Sequence, residues 1–543
     1  MRMKIYILLF LSGILTVGLN SCTDYLDTQP YSFNTVDNLY TSAEGAELGL
    51  TGCYNILNAE YVQGSAWAGS FVATVPFMLN GGTDEVVLRE GNVDPYWGPF
   101  GNATYTSQNP KLKDHWFVFF VGINRVNCLL EKIEGVDMDE NRKIEMIGEA
   151  HFLRGLYYFY LAAEFGGLPV YTTPDHSTDL QRASVEMVFD LILSDLNYAY
   201  ETLTDRAIKP GRADKWSAAG YLTKVYTYLA SFKMNNVGEE LDFELNSFAW
   251  VEADVMYTRA KEVTDDIIAN SGFKLTEKYD YLFRETTEQW KAEESLFSLL
   301  GSKNVSSGNL NLLLFWQIPV GVPAAGGGYG QLRPLGELFY KYDSTDLRRS
   351  QNMTQGLYTY NPTENIEGVT YYIPSPLKDP MEEDLCVGKY RYREAAAKSI
   401  SSAWSDGNII LIRYADILLH NAEARYFTGD EAGARSRLRE VRARIAVDDA
   451  HLDSLTASYY HVDFVTELLD SRSRELCFEG WRRIDLIRFG KIDETIAGLS
   501  NDLGYWNSIV PVLQNNWKHY KIWFPIPKSD IELSPLLQNP GYN

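Results

Sequence analysis

The chain has 543 residues, 72 acidic against 49 basic side chains, a formal charge of −23 at neutral pH, and 13% aromatic residues. That length suffices for a large core and two or more domains. The acidic balance excludes nucleic acid as a partner, because such binding rests on Lys and Arg neutralising phosphate; it suits a surface facing water, or a neutral ligand.

The first segment reads as an export signal. Arg2 and Lys4 form a positive start, and residues 5–19 form an apolar run too short to span a membrane. The run closes on Leu19-Asn20-Ser21-Cys22, a small residue directly before Cys, which is the pattern of a lipoprotein signal. Cleavage after residue 21 makes Cys22 the acylated N-terminus, anchoring the mature chain to a membrane. It removes Arg2 and Lys4 and no acid, leaving 47 basic against 72 acidic residues, a charge of −25. No second long apolar run exists, so no membrane-spanning helix is expected. Cys53, Cys128, Cys386 and Cys477 are far apart and form no C-x-x-C pair, and a chain this large needs no disulfide framework. Cys128 and Cys477 sit in apolar surroundings and read as small buried hydrophobes.

Helical periodicity begins at residues 116–133 and stops at Gly135. Residues 141–165 are apolar nearly all round, as in a buried helix, and Gly166-Gly167 ends it. Ser184 caps a helix running from Val185 to Leu203, and Pro210-Gly211 separates it from a second helix with Trp216, Leu222, Tyr226 and Leu229 on one face. Another helix covers 250–270. Residues 410–447 read as a hairpin, with helices over 412–427 and 431–445 about the turn Gly429-Asp430, and its alanines permit close approach. Two helices in roughly 34 residues is a tetratricopeptide-like unit. A third helix covers 464–489. The fold class is therefore mainly α, a tetratricopeptide-like helical-repeat scaffold with long irregular loop-rich excursions. The expected divisions are a signal peptide over 1–21, an N-terminal helical region over 22–300 containing the excursion 60–113, an irregular insertion over 301–408, and a C-terminal helical region over 409–543.

Chemistry-bearing motifs are absent: there is no H-E-x-x-H, G-x-S-x-G, G-x-x-x-x-G-K-[ST] or G-x-G-x-x-G. Asp137-x-Asp139-x-Asn141 lacks the Gly and Glu of a calcium loop and reads as a helix start. Asp84-Glu85 or Asp254 could serve a glycosidase, but 72 acids make a pair uninformative. No enzyme activity, cofactor or metal is expected.

Several segments together resemble the SusD/RagB family of surface lipoproteins. They are Cys22 to Pro30, Trp116 to Glu131, Glu149 to Phe159 closing in Phe165-Gly166-Gly167-Leu168-Pro169, Gly211 to Ala218, Arg413 to Glu423, Arg474 to Leu486, Pro525-Ile526-Pro527, and Asn539 to Tyr542. They run in order along essentially the whole chain; His151 stands where the family commonly has a larger basic residue. The resemblance implies a non-enzymatic lid on a SusC-like, TonB-dependent outer-membrane transporter, lipid-anchored in the outer membrane and facing the exterior. Its implied ligand is usually a glycan and in some members a peptide.

The ligand residues are argued physically, because a sugar ring needs an aromatic plane beside hydrogen-bonding side chains. The 91–105 loop supplies Tyr96, Trp97, Phe100 and Asn102; the 316–333 loop supplies Trp316, Tyr329 and Arg333. Three stacked rings at about 0.5–1.5 kcal/mol each give roughly millimolar affinity, which suits capture followed by release. Peptide capture, a helical glycoside hydrolase and a protein-binding scaffold are the other classes the sequence leaves open.

Overall fold

The computed structural model describes residues 36–58, 71–89, 96–177, 180–286, 288–301, 317, 328–355, 363–373, 377–381, 384–391, 393–394 and 406–542. The predicted signal peptide and Cys22 lie outside the described residues, as does Trp316.

The scaffold is a continuous array of helices. It comprises α1 (Ala43–Tyr54), α2 (Phe71–Asn80), α3 (Gly98–Asn102), α4 (Pro110–Lys132), α5 (Glu140–Phe165), α6 (Val185–Thr202), α7 (Lys215–Met234), α8 (Ala253–Asn270), α9 (Tyr414–Phe427), α10 (Glu431–Ala443), α11 (Asp449–Ser458), α12 (Phe464–Leu476) and α13 (Arg482–Arg488). Each of α4 to α9 packs on its successor, α9 also packs on α12, and the array is mainly α as expected.

The two helices lacking a polar side lie inside the array, as burial demands. Every residue of α5 from Phe152 to Phe165 is buried, as is every residue of α7 from Trp216 to Phe232. Three hydroxyls of α7 are satisfied within it: Thr223, Thr227 and Ser231 donate to the carbonyls of Ala219, Thr223 and Thr227. Its start is a capping box in which Asp214 Oδ1 accepts from the Ser217 amide at 2.9 Å. Ser184 caps α6, and Asp139 caps α5 by accepting from the Arg142 amide at 2.9 Å, the helix-start role expected for it.

Three helix expectations are corrected. Residues 409–413 form a strand, so α9 starts at Tyr414; the run Ile409-Ile410-Leu411-Ile412 is buried throughout and suits a strand equally. The helix expected over 464–489 breaks between α12 and α13, where Phe478 takes φ 67° and Gly480 φ 84°. The helix expected from residue 116 begins at Pro110, whose missing N–H costs nothing in a first turn.

The insertion is not irregular throughout. Antiparallel strands pair as β1 (Val86–Leu88) with β3 (Leu332–Pro334), β2 (Ser295–Leu299) with β9 (Ile409–Arg413), and β4 (Met353–Gln355) with β7 (Leu385–Val387). The sheet of β5 (Thr363–Ile366), β6 (Val369–Tyr372) and β8 (Arg393–Glu394) completes the set. Strands of two to five residues carry too little alternation to be read from sequence. One core cluster runs from Ala46 to Leu536 and takes in Leu332, Leu338, Met353 and Val387, so it crosses the divisions drawn at 300 and 408.

Two buried charge arrays bind the C-terminal helices to this core. In the first, Lys224 and Arg472 share Asp416, Arg472 and Arg488 share Asp485, and Arg488 reaches Glu423 at 2.7 Å. In the second, Arg413 donates to Glu294, Glu475 and Glu479 while Lys389 also holds Glu479 at 2.6 Å. Much of the family-like Arg413–Glu423 and Arg474–Leu486 pattern is thus spent on internal ion pairs.

Candidate functional site

The described cysteines are free thiols; Cys477 is buried, whereas Cys128 is only half-buried. Among the described residues no group of three His, Cys, Asp or Glu side chains could hold a metal, and no helix is long and apolar enough to cross a membrane. The acids singled out in sequence have structural positions. Asp84 is bidentate with Arg482, at 2.7 and 2.6 Å, and accepts from Lys341 at 2.7 Å. Burial works to raise its pKa, but Arg482 and Lys341 together overcome this and hold the carboxylate well below the usual range. Asp254 lies in the first turn of α8.

The two aromatic excursions are rooted on one ribbon. β1 leads into the segment before Tyr96, and β3 ends the segment that carries Tyr329. Leu88 pairs with Leu332, the Arg89 amide donates to the Gln331 carbonyl at 2.9 Å, and Arg89 Nη1 donates to the Tyr329 carbonyl at 3.2 Å. Antiparallel pairing thereby brings together loops from opposite halves of the chain.

The predicted residues divide between this face and the core. Tyr96 is 50% exposed, and its carbonyl accepts from Asn109, the N-cap of α4, at 2.9 Å. Tyr329 is half-buried. Trp97 and Phe100 are 1% and 2% exposed, so neither ring has a face to offer a ligand. Trp97 packs on Phe77 with centroids 4.9 Å apart, and Phe100 stacks on Tyr105 and meets Phe524 edge-on. The rings are hidden because α3 turns them inward onto α2 and the C-terminal segment. Asn102 is buried and its Oδ1 accepts from the Thr104 hydroxyl at 2.7 Å, closing the turn after α3. Arg333 is also buried: Nη1 donates to Cys386 Sγ and the guanidinium lies 4.8 Å from the Trp506 ring centroid. Burial pushes its pKa down. These four side chains are thus buried and held by protein contacts, Arg333 within β3 itself.

Sequence reasoning overlooked Tyr505 and Trp506. Tyr505 is 58% exposed, and Trp506 meets it edge-on at 5.1 Å while covering Arg333. The adjacent pair after Gly504 was the available signal.

The fold is a mainly α helical-repeat scaffold whose described residues include exposed rings at Tyr96 and Tyr505 and a half-buried one at Tyr329. Comparison with known proteins agrees. The SusD family model matches residues 326–542, and the model described as "Starch-binding associating with outer membrane" matches residues 74–227. The chain is similar to SusD-like protein P38 of Formosa agariphila, at 26% identity over 90% of this chain and 92% of the relative. It is similar to starch-binding protein SusD of Bacteroides thetaiotaomicron, at 24% identity over 98% of each. Among solved structures, a SusD homolog of Bacteroides thetaiotaomicron aligns with TM-score 0.73 at 21% identity, covering 94% of this chain and 99% of its own. A laminarin-binding SusD-like protein aligns with TM-score 0.67 at 24% identity, covering 93% and 100%. The chain belongs to the SusD/RagB family.

Proposed function

We propose that the protein captures an oligosaccharide or polysaccharide at the outer membrane and delivers it to a SusC-like TonB-dependent transporter, without chemistry of its own. What supports this reading is the β1–β3 ribbon, from which the chain runs on one side to the exposed Tyr96 and on the other to the half-buried Tyr329. A pyranose stacks its C–H face on such a ring while Asn, Asp or Arg groups bind its rim. The starch- and laminarin-binding descriptions of similar proteins support a glycan over a peptide. Trp316 belongs to the same proposal through its place in the second excursion. Acylation at Cys22 would hold the protein on the membrane, facing the exterior beside its transporter.

The test is a glycan array probed with the soluble form, residues 23–543, beside Tyr96→Ala and Trp316→Ala. One polysaccharide class should bind, and each substitution should weaken it by roughly two- to tenfold, the range for one stacked ring. Binding only to peptide mixtures would transfer the capture role to a peptide. In cells, Cys22→Ser should abolish incorporation of labelled palmitate, and the transporter should co-purify with the anchored parent.

A further inference from the structure

A second feature lies away from the Tyr96 face. A cleft of about 420 Å³ opens between the loop joining α6 to α7 and the segment carrying β2. In a chain of net charge −23 its walls are cationic: Arg206, Lys209, Arg212 and Lys291 line it against the single acid Asp214.

The acid is already committed, since Asp214 Oδ1 accepts from both the amide and the hydroxyl of Ser217 to cap α7. Three of the four cations are held by protein contacts, Lys291 being only 2% exposed. Arg212 pairs with the buried Glu149 at 3.4 Å, and Lys209 stands 3.9 Å from Glu47 with its own side chain 61% exposed. Arg206 differs. It is exposed, makes no salt bridge among the described residues, lies over Phe273 at 5.2 Å, and spends Nη2 on the Ser271 carbonyl at 3.0 Å. That last contact is the ordinary service of a cation at the C-terminus of α8, but it leaves Nε and Nη1 available. The planar fork of a guanidinium matches carboxylate and sulfate oxygens. Phe273 and Leu300, the latter 44% exposed, supply apolar surface beside it. Leu300 and Asn408 also mark where the chain enters and leaves the insertion that carries Trp316 and Tyr329.

We propose that this cleft binds an oxyanion-bearing saccharide, a uronate or a sulfate ester, with Arg206 and Lys209 as the recognising groups. The inference rests on the reading of the chain as a glycan-capture protein and narrows its ligand to an acidic class. A cleft of one sign concentrates oppositely charged ligand despite the acidity of the molecule as a whole.

The test is calorimetric titration of residues 23–543 with trigalacturonate, a sulfated galactose trisaccharide and a neutral trisaccharide. A charged ligand should bind about tenfold tighter than the neutral one, and weaken as ionic strength rises from about 0.02 to about 0.3 M. The double variant Arg206→Gln, Lys209→Gln, both exposed and so compatible with folding, should lose about tenfold for the charged ligand and nothing for the neutral one. The two charged probes distinguish carboxylate from sulfate. Equal affinity for charged and neutral ligands, no binding of either charged probe, or charged binding untouched by the double variant would overturn the cleft. Capture of a neutral glycan through Tyr96 with no charge preference would leave the function standing and remove this inference alone. Charged binding lost in the double variant but indifferent to Tyr96→Ala would support the cleft and move the capture site away from Tyr96.

Discussion

Tyr96 and Trp97 are neighbours with opposite fates, one half exposed and the other sealed against Phe77. Composition and loop chemistry located an aromatic segment, but which ring turns outward depends on α2, which no local pattern reports. Substitution separates them. Trp97→Ala should destabilise the fold by about 3–5 kcal/mol through its cavity, seen as a lowered melting temperature. Tyr96→Ala should leave melting unchanged and weaken glycan binding only. Glu85 provides a second residue-scale test. Burial, aided by the neighbouring Asp84, pushes its pKa up to about 7 against the opposing pull of Arg482, and its Oε2 has no hydrogen-bond partner. A carboxyl whose pKa is raised on folding binds its proton more tightly in the native state. Its contribution is therefore fully present below the unfolded value of 4.5 and is lost as pH rises toward about 7. Glu85→Gln should gain stability relative to the parent between those values, measured by denaturant midpoints at each pH; a gap that stays constant with pH would refute the assignment.

The buried helix α5 was legible because an element apolar on every side has one place to go, whereas α7, read as apolar on one face, is buried on every side. The end of α12 was only half legible. Gly480 inside a helical pattern is a recognised breaker, but Phe478 at φ 67° is unfavourable for a side chain and persists through its surroundings. The Gly480 amide donates to Asn80 at 3.1 Å, and Glu479 is held by Arg413 and Lys389. Ion pairs between residues far apart in sequence decided the break. The same logic governs Arg472, which joins Asp416 to Asp485 between α9, α12 and α13. Arg472→Met should cost about 3–5 kcal/mol, because it deprives two buried carboxylates of a partner. Adding Asp485→Leu should restore part of the loss, and denaturant unfolding of the single and double variants measures both.

At the scale of the molecule, one core cluster takes in residues from every stretch of the helical array. The array order and repeat character were readable from periodicity and turns, whereas the continuity of one core from Ala46 to Leu536 depends on which faces meet. Calorimetry should therefore show one unfolding transition, and a fragment ending at residue 408 should fail to fold, because α7 and α8 would lose the buried face of α9; two resolved transitions would count against a single core. The β1–β3 ribbon carries a further consequence, in time instead of space. Arg89 and Tyr329 meet across 240 residues of chain. Joining ends that distant has a loop-closure cost that local helices avoid, and non-local pairings are correspondingly slow. The helical array can assemble through neighbour contacts while the ribbon is still open. On the proposed site, capture is then a late acquisition: a molecule able to grip its ligand there has, by that fact, closed the ribbon.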